Sequence, residues 1–195
     1  MADLLLASAS PRRRELLEQI GVNFISEAQD IDESVRASET PSQYVERLAR
    51  EKAEQGCKAL NMTALGSDTC VVLDGEILSK PTSAEDAKAM LNRLSGRSHQ
   101  VLTGVAICKN EGHEFTLSSQ VVSTDVSFIP LTSAQIERYV ATGEPMDKAG
   151  SYGIQGKAAV FVSAIVGSYS NVVGLPLMET AQLLQQHNIP VWCAQ

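Results

Sequence analysis

Residues 8–15 read Ser-Ala-Ser-Pro-Arg-Arg-Arg-Glu, and they bring two hydroxyls and three guanidinium groups together. Ser10 suits a helix N-cap, and Pro11 suits the first helical position, where its missing N–H costs nothing. Arg12, Arg13 and Arg14 then fall in the first helical turn. That is the unfavourable charge for a helix N-terminus, whose partial positive charge favours Asp or Glu. A bound anion resolves the conflict for Arg12 and Arg13. A strand feeding a helix start presents free N–H groups, and Ser8, Ser10 and the arginine forks add donors suited to phosphate oxygens. Arg14 is assigned to the solvated face, with Glu18 four residues on as its partner.

Other residues invite similar questions. Lys52 continues the apolar stripe of Val45, Leu48 and Ala49, so its ammonium either snorkels to the surface or turns into a cleft. Gly66-Ser67-Asp68-Thr69 follows a strand and precedes a hairpin turning at Asp74-Gly75. That turn sets Leu73 opposite Glu76, and so Thr69 opposite Lys80 on one sheet face. Strict alternation puts Asp68 on the other face, and a bulge or frayed strand end is needed to bring it round. Asp68 also reads as a turn former, and Lys80-Pro81 as a strand terminator. Glu33, in the acidic stretch Asp30 to Ser34, is a hard oxygen ligand that could join Asp68 on Mg²⁺, or it is plain solvated surface. Gln155, between Gly153 and Gly156, either reads a pyrimidine edge with an amide that both donates and accepts, or sits in a flexible loop.

The elements that must hold these residues interleave. Strands are expected at Leu4 to Ala7 and Val22 to Ser26, with a helix from Arg13 to Ile20 between them. The capping box at Thr40 to Gln43 opens a helix running to about Ala59. After the Asp74-Gly75 hairpin come a helix from Ser83 to Leu94 and a long hairpin from His99 to Ile129, turning at residues 110–112. A helix from Thr132 to Ala141, a Gly-rich loop, a buried strand in residues 158–166, a helix from Leu177 to His187 and a last strand from Pro190 to Cys193 complete the chain. Two hairpins among alternating helices and strands predict a mixed sheet of α/β class.

Composition bounds the function. The 195 residues are 44% hydrophobic and 20% charged, enough for one domain with a sizeable core. A net charge of −7 argues against a general nucleic-acid binder, so the arginines point to a small anion. Four scattered cysteines and the histidines His99, His113 and His187 lack metal-ligand or disulfide spacing and read as reduced thiols of a cytoplasmic protein. Asp3 and a short apolar run argue against a cleavable leader, and no stretch approaches the ~20 apolar residues of a membrane span.

Ser-Ala-Ser-Pro-Arg-Arg at residues 8–13, Leu48 to Lys52, Leu-Gly-Ser-Asp-Thr, Leu-Ser-Lys-Pro, Leu91 to His99, Val-x-Thr-Gly-Val and Ala-Gly-Ser-Tyr-Gly-Ile-Gln-Gly-Lys-Ala resemble, in order and spacing, the Maf family. These are house-cleaning nucleoside triphosphate pyrophosphatases, and the resemblance covers nearly the whole chain. The Gly-Ile-Gln-Gly segment looks like the branch acting on dTTP and UTP. The resemblance implies an elongated mixed sheet with flanking helices, and a single domain over residues 1–195 with two lobes around a central cleft, akin to inosine triphosphatase. It implies Asp68 as the catalytic acid–base residue. It further implies that Arg12, Thr69 and Gln155 help choose the base, that Ser8, Arg13, Lys52 and Lys80 hold phosphates, and that Glu33 lies near the metal.

The expected reaction is hydrolysis of dTTP and UTP, with modified pyrimidine nucleotides as further candidates, to the monophosphate and pyrophosphate. The expected cofactor is a divalent metal cation, Mg²⁺ or Mn²⁺, on Asp68 and Glu33. The expected partners are a nucleoside triphosphate and, from the family, a second copy in a homodimer, with neither nucleic acid nor membrane. The alternatives are a pyrophosphatase for purine nucleotides, or a nucleotide-binding regulator of septum formation without turnover.

Overall fold

The computed structural model describes residues 3–112 and 114–193, so His113 lies outside the described residues. The strands are β1 (Leu4–Leu6), β2 (Phe24–Ser26), β3 (Ala64–Leu73), β4 (Glu76–Leu78), β5 (Ser98–Asn110), β6 (Phe115–Phe128) and β7 (Val162–Val166). The helices are α1 (Pro11–Gln19), α2 (Pro41–Leu60), α3 (Ala84–Leu94), α4 (Ser133–Val140), α5 (Tyr169–Val173) and α6 (Leu177–Gln186). The sheet runs β2-β1-β3-β5-β6-β7, with β4 also paired to β3. Parallel β1–β2 and β1–β3 pairs and antiparallel β3–β4 and β6–β7 pairs make it mixed, as expected.

The chain divides into two compact units. The first holds the chain up to Asp68, Thr103–Val122 and the chain from Gly174; the second holds Thr69–Leu102 and Ser123–Val173. The boundary in β3 thus falls between Asp68 and Thr69.

In the first unit, β1 is three fully buried leucines, which suits a strand with neighbours on both sides. Small residues then let α2 lie close upon the sheet: Leu5, Ala49, Ala53, Cys57, Ala64, Ala106 and Cys108 form one buried cluster. Gly66 takes this furthest, because a Cβ there would collide with the Ala49 carbonyl oxygen and sit 2.6 Å from the Ala53 nitrogen. Cys57, Cys70, Cys108 and Cys193 form no disulfide among the described residues, and burial pushes Cys108 up to about 12. Such a thiol is inert packing material.

In the second unit, aromatic rings pack edge to face from Tyr139 through Phe161 and Phe128 to Tyr152 and His99. His99 Nε2 lies 2.8 Å from the Tyr152 hydroxyl, and burial lowers the imidazole to about 4. Thr132 and Gln135 form a capping box on α4, and Ser83 caps α3.

Several expectations need correction. Residues 158–166 are not one buried strand: Lys157–Phe161 is 3₁₀ and only Val162–Val166 is strand. That strand ends the sheet order, with β6 as its sole neighbour among the described residues, and Val166 is 70% exposed. An apolar run alone therefore misjudged burial. Residues 190–193 form no strand; Trp192 and Cys193 instead donate backbone N–H groups to Ile20 and Gly21, and Trp192 has a φ of 59°. The Gly-rich segment after α4 is largely 3₁₀ turns with Gly150, Ser151, Tyr152 and Ile154 buried. Helix α5 was not anticipated.

Candidate functional site

The first unit answers the question posed by the arginines. Helix α1 starts at Pro11 with Ser10 as N-cap, its side chain accepting from the Arg13 N–H, and no acidic residue occupies the first turn. Arg13 folds back rather than out. Its Nε donates to the Gly174 carbonyl at 2.9 Å and its Nη1 to Ser8 Oγ at 3.4 Å. Ser8, 7% exposed, also accepts the Ser10 N–H at 3.2 Å, and its carbonyl accepts from Ser26 Oγ at 2.8 Å. The Gly174 carbonyl takes a second donor, the buried Ser67 hydroxyl, at 3.2 Å. Burial lowers the Arg13 guanidinium, opposed by the negative charge of Asp68 and reinforced by Arg12, with Glu33 opposing again. Arg12 is half-buried and makes no hydrogen bond or ion pair among the described residues. Arg14 is exposed, and the expected ion pair with Glu18 is not formed.

Lys52 does not snorkel. It is 8% exposed on the sheet-facing side of α2, and its Nζ lies 2.7 Å from Asp68 Oδ1 and 2.6 Å from Glu33 Oε1. No bulge is needed to bring Asp68 there, which corrects the expected strand end at Gly66 to Thr69. β3 is one continuous strand of ten residues, and alternation puts Ala64, Gly66 and Asp68 on the face against α2. Gly66, two residues before Asp68, is the close approach that lets a helix lysine reach a strand aspartate.

Glu33 sits in a segment without regular structure, and α2 fixes it there. Three successive carbonyls are caught: Asp32 O by Arg47 Nη1 at 3.4 Å, Glu33 O by the Tyr44 hydroxyl at 3.0 Å, and Ser34 O by Arg47 Nη2 at 2.9 Å. Arg47 is itself locked by a bidentate pair with Glu39, at 2.6 and 2.9 Å. The Arg47 hydrogen bonds hold the Glu39 carboxyl down at about 2, against burial, and Glu39 raises Arg47 in turn. Sequence reasoning missed this clamp. Its signal was the pairing of an acidic loop with an arginine on the same helix as Lys52.

In the second unit, Thr69 follows Asp68 on the opposite face of β3. The Leu73–Glu76 register is as expected, but β4 ends at Leu78, so the ladder does not carry Lys80 opposite Thr69. Lys80 is exposed. Gln155 is exposed at the tip of a turn closed by the Gly156 N–H donating to the Gly153 carbonyl at 3.0 Å. Six of the expected residues, Ser8, Arg12, Arg13, Glu33, Lys52 and Asp68, therefore lie in the first unit, while Thr69, Lys80 and Gln155 belong to the second.

Two carboxylates meeting at one cation fit a divalent metal that takes one or two carboxylates and completes its shell with phosphate oxygens. Among the described residues no three His, Cys, Asp or Glu side chains gather as a metal site, so a protein-only cage is not built here. Asp68 Oδ2 has no hydrogen-bond partner among the described residues and is available as a ligand or a base.

Fold and site together define a mixed α/β protein in which the Arg13 guanidinium, at the start of α1, feels the charges of the two carboxylates that Lys52 holds, Asp68 and Glu33. Residues 3–187 match the family described as Maf-like protein, and the chain belongs to the Maf family. A dTTP/UTP pyrophosphatase of Pseudoalteromonas atlantica is 52% identical over 195 residues, covering 97% of this chain and 100% of its own length. One from Shewanella denitrificans is 54% identical over 190 residues, covering 92% of this chain and 93% of its own. Among solved structures, the Ham1 protein of Staphylococcus aureus shares the fold at a TM-score of 0.52 and 17% identity, covering 95% of this chain and 98% of that one. No helix of the described residues is long and apolar enough to cross a membrane.

Proposed function

We propose that this chain is a nucleoside triphosphate pyrophosphatase that hydrolyses dTTP and UTP to the monophosphate and pyrophosphate. The single observation that carries the mechanism is the Lys52 ammonium held between the Asp68 and Glu33 carboxylates. It supports Asp68 as the general base. Lys52 aims the carboxylate, and Oδ2 takes the proton of a water attacking the α-phosphorus. The new oxygen–phosphorus bond forms as the bond from the α-phosphorus to the bridging oxygen of the β-phosphate breaks, and pyrophosphate leaves with the electron pair.

Ser8, the α1 start with Arg12 and Arg13, Lys52 and Lys80 are assigned to the phosphates. Their cationic charge offsets the negative charge growing on the leaving group, so catalysis is mainly positioning and electrostatics. Asp68 and Glu33 would hold Mg²⁺ or Mn²⁺, which supplies further neutralisation of phosphate charge. Arg12, Thr69 and Gln155 are assigned to base choice. The Gln155 amide, able to donate and accept at once, suits the N3–H and flanking carbonyls of uracil and thymine.

The test is a panel of triphosphates assayed with and without Mg²⁺ or Mn²⁺. Metal-dependent release of pyrophosphate, fastest from dTTP and UTP, is expected. Preference for a purine triphosphate, release of single phosphate, or tight nucleotide binding without turnover would each overturn the proposal.

A further inference from the structure

The turn that carries Gln155 is fastened at both ends by one pair of side chains in the second unit, Tyr139 and Glu144. At its start, the Gly153 N–H donates to the Tyr139 hydroxyl at 3.3 Å. At its end, the Lys157 N–H donates to Glu144 Oε2 at 2.9 Å and the Ala158 N–H to Glu144 Oε1 at 3.4 Å. The two fasteners are themselves joined, because the Tyr139 hydroxyl donates to Glu144 Oε1 at 3.0 Å. Lys148 Nζ in turn donates to the Glu144 carbonyl at 2.7 Å.

The sequence of the turn is built around that carboxylate. A Cβ on Gly156 would fall on Glu144 Oε1, with the second oxygen only 2.7 Å away, and one on Gly153 would meet the Lys148 stem at 2.7 Å. Ile154 is buried while Gln155 is exposed. The glycines on either side of Ile-Gln are therefore the space Glu144 and Lys148 occupy, not a sign of looseness. Burial works to raise the Glu144 carboxyl, yet the Lys157 N–H, the Tyr139 hydroxyl and the Ala158 N–H outweigh it and hold the group below the usual range. It therefore stays an acceptor-only carboxylate at neutral pH. Tyr139 is anchored below by edge-to-face packing on Phe161 at 5.1 Å.

We infer that Tyr139 and Glu144 are positioning residues for base selection: they hold the Gly153–Gly156 turn rigid, so that the Gln155 amide meets the pyrimidine edge in one orientation. The inference rests on Gln155 as the reader of the base. Cytosine reverses uracil's hydrogen-bonding pattern at N3 and C4, and an amide on a floppy turn can shift as well as rotate to match either base. A fixed turn sets the distance and angle from which the amide approaches, so the wrong base is left with unpaired groups. Neither side chain touches substrate in this role.

The experiment compares kcat/KM for UTP and CTP in the unsubstituted protein and in Gln155→Ala, Glu144→Gln and Tyr139→Phe. Tyr139→Phe keeps the ring packing and removes only the hydroxyl, so it carries the test if Glu144→Gln fails to fold. A merely structural role would lower both substrates together and leave their ratio alone. The UTP:CTP ratio is expected to fall about 100-fold in Gln155→Ala and about tenfold in each clamp variant. If Gln155→Ala lowers the ratio and both clamp variants keep the unsubstituted value, the clamp inference is overturned and the reading of Gln155 survives. If Gln155→Ala leaves the ratio unchanged, the reading of Gln155 is wrong and the inference goes with it.

Discussion

Lys52 Nζ lies 2.7 Å from Asp68 Oδ1, joining the middle of α2 to the middle of β3 through a contact that is almost wholly shielded from water. Buried pairs of this kind add little net stability over apolar packing, but removing one partner strands the other. Lys52→Met leaves Asp68 inside without its cation. Loss of about 3 kcal/mol of stability is expected, together with loss of pyrophosphate release. Lys52→Arg keeps the charge but carries a broader head into a site fitted to an ammonium, and activity is expected to stay low while stability partly returns. Denaturant melts and steady-state assays on the two variants check this. A Lys52→Met protein as stable and as active as the unsubstituted one would contradict it.

Arg47 spans the carbonyls on either side of Glu33 and the Glu39 carboxylate at once. Arg47→Lys cannot reproduce the fork, so it is expected to behave like Arg47→Ala: a loss of about 2 kcal/mol and a fall in kcat of at least about tenfold, as Glu33 loses its fixed backbone. Recovery of kcat in Arg47→Lys would show that charge alone is enough at this position. Because Glu39 is held near 2 in the folded chain against an ordinary 4.5, its contribution is complete above pH 4.5 and drains away as the pH falls towards 2. Arg47→Ala should therefore flatten the acid limb of the stability curve below pH 4.5.

His99 acts in a higher pH window. Its folded value is about 4 against an ordinary 6.5, so the unfolded chain binds a proton first as the pH falls. The stability it contributes is present above pH 6.5 and is lost on the way to 4, which amounts to about 2 kcal/mol between pH 6.5 and 4.5. His187, also lowered by burial, pulls in the same direction. Thermal melts of His99→Gln across this range are expected to show a shallower decline than the unsubstituted protein; an unchanged slope would remove His99 from the acid response.

Much of this was legible beforehand because it is local. Ser10-Pro11 and the Thr40 capping box mark helix starts by backbone chemistry, and Asp74-Gly75 marks a turn by its φ requirements. Lys52 showed itself as a charge on an apolar stripe. Its partner was harder to see, because the Asp68 pairing depends on how deeply α2 settles on β3, which Gly66 decides through a tertiary approach. The Arg47 clamp and the Glu144 fastening of the Gln155 turn join residues on different elements with no shared period. The apolar run before Val166 and the expected strand at Cys193 failed for a related reason: hydrophobicity does not say whether a neighbouring strand is present on both sides.

The role of Asp68 is tested most directly by Asp68→Asn, assayed for pyrophosphate release from UTP and dTTP alongside equilibrium binding of a non-hydrolysable analogue. Asn keeps the shape and an oxygen for Lys52 but cannot take the water's proton. A fall in kcat of about 10²–10⁴ with analogue affinity within a few-fold is expected. Unchanged turnover in Asp68→Asn would contradict the assignment of Asp68 as the base.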